Sequence, residues 1–152
     1  MYEIVHRIGI IATAAQVFAA LASKAGLAQW WTEEVHGEDR VGGKIEFRFS
    51  TQDGAHLGSF GMEVKALVPQ TEVRWLCVEG PADWLGTEIS FQLSEQSGLT
   101  IVLFSHKNWP EAVDHRAHCS MKWATFLLSL RQYVETGKGK PSPHDLKIDD
   151  WN

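Results

Sequence analysis

The sequence predicts an α+β fold in which an antiparallel sheet is covered by one long helix, and three observations predict it. The chain opens with a strand and a capped helix, Tyr2 to Leu21. Five strand-like hydrophobic runs follow between Lys44 and His106. One long amphipathic helix closes the pattern, from about Glu111 to Thr136. Its residues Cys119, Trp123, Phe126, Leu127, Leu130, Tyr133 and Val134 recur at three- and four-residue steps. A helix that follows a meander of strands buries its stripe against the sheet those strands form. If that sheet curves, space remains between sheet and helix, and the chain becomes a container for a small apolar molecule.

Each element has its own signal. Tyr2 to Ile11 reads as a strand, with Ile4, His6, Ile8 and Ile10 on one face and Glu3 and Arg7 on the other. Thr13 caps a helix and Gln16 completes a capping box, with Val17, Phe18 and Leu21 as its buried stripe. Lys24 to Gly26 is read as the break, and a short second helix is expected to carry Leu27, Trp30 and Trp31. Gly37 to Gly43 reads as a polar loop. Lys44–Ser50 then alternates with Ile45, Phe47 and Phe49 inward. Gln52-Asp53-Gly54 is a hairpin turn. Leu57–Val68 presents Phe60, Met62, Val64 and Ala66 on one face, and Glu72–Glu79 presents Val73, Trp75 and Cys77. Leu85–Leu93 offers Leu85, Thr87, Ile89, Phe91 and Leu93, and Leu99–His106 offers Val102, Phe104 and His106. The sheet therefore has about six strands. Trp109-Pro110 is expected to start the last helix and Gly137 to stop it. Residues 1–137 form the domain, and 138–152 a surface-hugging extension.

Composition bounds the partners. A chain of 152 residues, 44% hydrophobic and 22% charged, suits one domain with a substantial core. A net charge of −5 with no Lys/Arg stripe argues against nucleic acid and against an anionic membrane. No apolar run approaches membrane-spanning length. The N-terminus does not read as a signal peptide, and two cysteines without metal spacing suit a reducing cytoplasm. No phosphate loop, dinucleotide fingerprint or Gly-x-Ser-x-Gly motif is present, so no cofactor is implied.

The stretch Thr13 to Leu21 followed by Leu27-x-x-Trp30-Trp31-Thr32 resembles the opening of the START-like (SRPBCC) superfamily. Further features resemble its bacterial heat-shock-protein-90 ATPase activator homologue branch. They are Val41-Gly42-Gly43, Phe47-Arg48-Phe49, Thr71 to Trp75, Phe104-Ser105-His106, and Trp123 with Leu127 and Leu130. The resemblance covers nearly the whole chain to Gly137. It implies a helix-grip fold, a curved sheet gripping the C-terminal helix with a cavity between. Members bind lipids, sterols, polyketides and hormones, and some are enzymes. The co-chaperones that name the branch carry a companion domain that this sequence does not show. Dimerisation is left open.

Several residues are candidates for lining the cavity: Trp30 and Trp31 at its mouth, then Phe47, Phe60, Met62, Trp75, Phe91, Phe104, Trp123 and Leu127 along its wall. The competing reading is that these bulky side chains fill the interior as a solid core. Thr87 and His106 are the polar candidates that would orient a ligand. His106 could act as acid or base only with a carboxylate partner, and Asp83 and Glu111 are the ones to examine. His115 and His118 share a helix face but need further ligands to hold a metal, so no metal site is assigned. Three readings follow. The first is a binder of a small hydrophobic or amphipathic ligand. The second is a cyclase- or hydrolase-like enzyme using His106. The third is a chaperone-associated interaction module with an exposed patch around Trp84, Trp109 or Trp151.

Overall fold

The computed structural model describes residues 1–152. The strands are β1 Tyr2–Ile10, β2 Glu34–Gly37, β3 Lys44–Ser50, β4 His56–Val68, β5 Glu72–Glu79, β6 Glu88–Gln96 and β7 Leu99–Trp109. The helices are α1 Ala14–Ala22, α2 Lys24–Leu27 and α3 Val113–Thr136. All strands belong to one antiparallel sheet in the order β1-β7-β6-β5-β4-β3-β2. The α+β fold with a long C-terminal helix is as the sequence predicts. The sheet has seven strands where about six were expected, because Glu34–Gly37 pairs along the edge of β3.

The local chemistry is legible at most ends. Thr13 accepts from the Gln16 backbone N–H at 3.2 Å and Gln16 reaches back at 3.0 Å, closing the capping box. Gly137 stops α3 in the left-handed region, where a residue without Cβ is unstrained. Four expectations are corrected. The helix break falls at Ser23, which caps α2, so Lys24–Leu27 is itself helical and Trp30 and Trp31 follow it in a turn. Strand β7 runs through to Trp109, so α3 begins at Val113 rather than at Pro110. Leu85 is 51% exposed, since the chain is still turning before β6 starts at Glu88. In β4 a bulge between Val64 and Ala66 shifts the phase, so Leu67 packs on the core in place of Ala66.

Further register shifts in β1 and β3 add local bend and twist. The curved sheet wraps α3, whose Trp123, Phe126, Leu127 and Leu130 are buried against it. A core of 27 buried residues joins sheet, α1, α2 and α3, so most of the space beneath the helix is filled. The C-terminal tail packs on the domain. It hugs the surface through the Ser142 bridge to Thr32 and the Lys140 N–H bond to Ser129 Oγ at 2.8 Å. It is fastened from below by a buried ion pair between Lys122 and Asp145.

Candidate functional site

The interior has two ends of different character. At the filled end, β5, β6 and β7 place alternating side chains under α3, as a half-buried strand pattern requires. Trp75, Phe91, Phe104 and His106 are fully buried there. Trp75 meets Phe91 edge-on at 5.3 Å, and Phe104 packs on Trp123 at 4.5 Å. Trp30 donates its indole N–H to the Ala20 carbonyl at 2.9 Å, which fixes it as a core residue.

His106 is part of this filled end. Trp123 Nε1–H donates to its Nδ1 at 3.1 Å, so that nitrogen carries the lone pair. Its Nε2–H therefore donates to Thr87 Oγ1 at 2.8 Å, and the Thr87 hydroxyl donates to the Trp84 carbonyl at 2.6 Å. Both ring nitrogens of His106 are thus bonded to protein. Burial pushes the imidazole pKa down to about 3, with a smaller contribution from His115. The ring is neutral near physiological pH. Asp83, named as its candidate partner, bonds instead to His115, and Glu111 makes no side-chain bond to His106. Thr87 and His106 hold each other, and neither has a free donor for a ligand.

At the other end a cavity of about 680 Å³ remains between the β3–β4 hairpin, the Glu79–Trp84 connection and the first half of α3. Its apolar wall is Trp31, Phe49, Phe60, Trp84, Trp123 and Phe126. Trp31 is its floor: the ring lies 4.3 Å from Phe47 and 5.0 Å from Trp123, and nearly parallel to Phe60. Gly58 lies two residues before Phe60 on the same strand face, and a Cβ there would meet nothing within 4 Å. Its missing side chain leaves part of the cavity open.

Of the twelve side chains expected along the wall, Trp31, Phe60 and Trp123 line this cavity. Trp30, Phe47, Met62, Trp75, Thr87, Phe91, Phe104, His106 and Leu127 lie in the packed interior instead. The reason is volume: aromatic side chains from β3, β5, β6 and β7 meet beneath α3 and close the space there. Phe49, Trp84 and Phe126 were not chosen from the sequence as wall residues, although Phe49 and Phe126 already sat on inward stripes. Trp84 and Trp109 are 4% and 0% exposed, so of the expected surface patch only Trp151, at 55%, is exposed.

Polar lining groups come from α3 and the tail, with Ser59 from β4 and Glu79 from β5. His115 Nδ1 lies 2.9 Å from Asp83 Oδ2, and His118 Nδ1 lies 2.7 Å from Asp149 Oδ2. The His118 bond holds the Asp149 carboxyl below its ordinary value. Lys122 donates to Asp145 and to the Leu146 carbonyl at 2.8 Å. Cys119 also borders the cavity, but burial pushes its thiol up to about 12, so it supplies no thiolate. No group of three metal-ligating side chains converges anywhere in the chain. No helix is long and apolar enough to cross a membrane.

A curved antiparallel sheet closed by a C-terminal helix, with a cavity at one end of the grip, defines a helix-grip protein of the START-like superfamily. The match to the family model described as Activator of Hsp90 ATPase homolog 1-like protein spans residues 11–135, and the chain belongs to that family. It is 41% identical to a structure described as the Aha1 dimer from Colwellia psychrerythraea, with a TM-score of 0.78 over 91% of this chain and 100% of that one. An AHSA1-like protein from Aeromonas hydrophila shares the fold at 19% identity and TM-score 0.74, over 90% of this chain and 94% of that one. CalU16 from Micromonospora echinospora shares it at 18% identity and TM-score 0.70, over 89% and 77%. No curated protein matches the chain.

Proposed function

We propose that this protein binds a small hydrophobic or amphipathic molecule in the cavity beside Trp31. The observation that carries this reading is the opening of about 680 Å³ lined by seven tryptophan and phenylalanine side chains, with His115, His118 and Lys122 among its polar groups. Apolar burial supplies affinity and the rim supplies orientation. The satisfied, neutral state of His106 weighs against an enzyme built on that residue. Free, buried Cys77 and Cys119 support a cytoplasmic setting.

The test is a panel of fatty acids, sterols and aromatic compounds, followed by melting temperature and Trp fluorescence. A ligand of the native state raises the melting temperature with the logarithm of its concentration. Gly58→Leu is the paired control, because its side chain enters the cavity without displacing the core. A saturable shift in the parent protein that disappears in Gly58→Leu supports the reading. A panel with no shift favours the interaction-module reading.

We further propose that the chain forms homodimers. The dimer named for the 41% identical relative supports this, and sedimentation at increasing concentration tests it. A single monomeric species throughout would count against it.

A further inference from the structure

The cavity rim holds two histidines that share one arrangement. Both lie on α3, three residues apart and therefore on neighbouring positions of one helix face. Both border the cavity. Each presents Nδ1 to a carboxylate, His115 to Asp83 at 2.9 Å and His118 to Asp149 at 2.7 Å. An ionised carboxylate can only accept, so in each ring Nδ1 carries the hydrogen. In the neutral imidazole Nε2 is then a bare lone pair. Neither Nε2 has a hydrogen-bond partner in the protein. Trp151 stands edge-on to both rings, 6.3 Å from His115 and 5.3 Å from His118, and narrows the space around them.

The surrounding charges reinforce this polarity. Glu79 on the rim is paired with Lys44, and Lys122 is paired with the buried Asp145. No lysine or arginine pairs with Asp83 or Asp149: Asp83 is held by the His115 imidazole, and Asp149 by the His118 imidazole and the Trp151 backbone N–H at 2.9 Å. With both rings neutral, an anion entering the rim would meet two lone pairs backed by two carboxylates and no free cation. A hydroxyl group would meet two acceptors.

Resting on the ligand-binding reading above, we propose that His115 and His118 make the cavity selective for an uncharged ring compound that donates hydrogen bonds, a phenol being the simplest, over one bearing a carboxylate. The aromatic wall takes the ring, and the paired imidazoles take the hydroxyl.

Three probes of one shape separate the contributions at neutral pH: naphthalene, 2-naphthol and 2-naphthoate. Tryptophan fluorescence reads binding, and ring-nitrogen chemical shifts of His115 and His118 read the contact. The expected order is 2-naphthol about tenfold tighter than naphthalene, with 2-naphthoate weakest, since one good hydrogen bond is worth about that factor. In the double variant H115F/H118F, 2-naphthol should fall to the naphthalene level. If that variant does not fold, the nitrogen shifts of the parent protein decide: Nε2 should move with 2-naphthol and stay put with naphthalene. Naphthalene binding combined with equal or tighter 2-naphthoate, or with unmoved Nε2 signals, overturns the selectivity and leaves the cavity reading standing. Failure of all three probes removes both.

Discussion

His106 and His115 both meet the Trp109 ring edge-on, at 5.0 and 5.3 Å, and they mark the boundary between two regions of one interior. On the His106 side both imidazole nitrogens are bonded to protein, burial is complete and the ring is held neutral. On the His115 side one nitrogen is tied to Asp83 and the other faces open space. The same residue type is scaffold in one place and binding surface in the other. What separates them is how much aromatic volume the neighbouring strands deliver.

The largest effect should come from the filled side. Trp75→Ala removes a fully buried indole between Phe47 and Phe91, and it should cost about 3–5 kcal/mol in a urea melt. A cost below about 1 kcal/mol would mean that this region is loosely packed.

The second effect is pH dependence. In the unfolded chain His106 titrates near its ordinary 6.5, whereas in the folded protein it stays neutral until about pH 3. Between these values the unfolded state binds the extra proton. Stability therefore falls as the pH drops through that window, by about 1.4 kcal/mol per pH unit from this one group. His106→Gln should flatten the slope between pH 6 and pH 4 relative to the parent. An unchanged slope would place the ring in contact with solvent.

A smaller loss should follow Thr87→Val. It strands the His106 Nε2–H and the Trp84 carbonyl in the interior, at about 1–3 kcal/mol by thermal melting. The smallest stability change belongs to the open side. Gly58→Leu should move the melting midpoint by less than about 0.5 kcal/mol while abolishing ligand binding. A large destabilisation there would show that the space is already occupied.

The sequence disclosed the fold more fully than the site. Capping at Thr13, alternation in Lys44–Ser50 and the α3 stripe are local patterns, and they survive folding intact. Strand β2 escaped because Glu34–Gly37 is a short, largely exposed edge with no apolar alternation. The bulge in β4 escaped because a phase shift is set by pairing with β5, not by β4 alone. Trp31, Phe60 and Trp123 could be chosen from inward patterns, but which patterned residues fill space and which border it depends on summed volumes across strands. The His115–Asp83 pair joins residues 32 apart, and His118–Asp149 joins residues 31 apart, so no local spacing announces either. Trp84 was read as a surface residue, and its burial comes from the Phe60 ring packed 4.3 Å away.

The seven tryptophans offer the most direct measurement, since their indole N–H signals in a two-dimensional nitrogen-15 spectrum report both regions at once. On titration with 2-naphthol, the signals of Trp31, Trp84, Trp123 and Trp151 should move saturably, because these residues border the cavity. Those of Trp30 and Trp75 should stay fixed, because they lie in the packed interior. Movement of Trp30 and Trp75 together with the others, or of none of the seven, would contradict a protein that is solid at one end and open at the other.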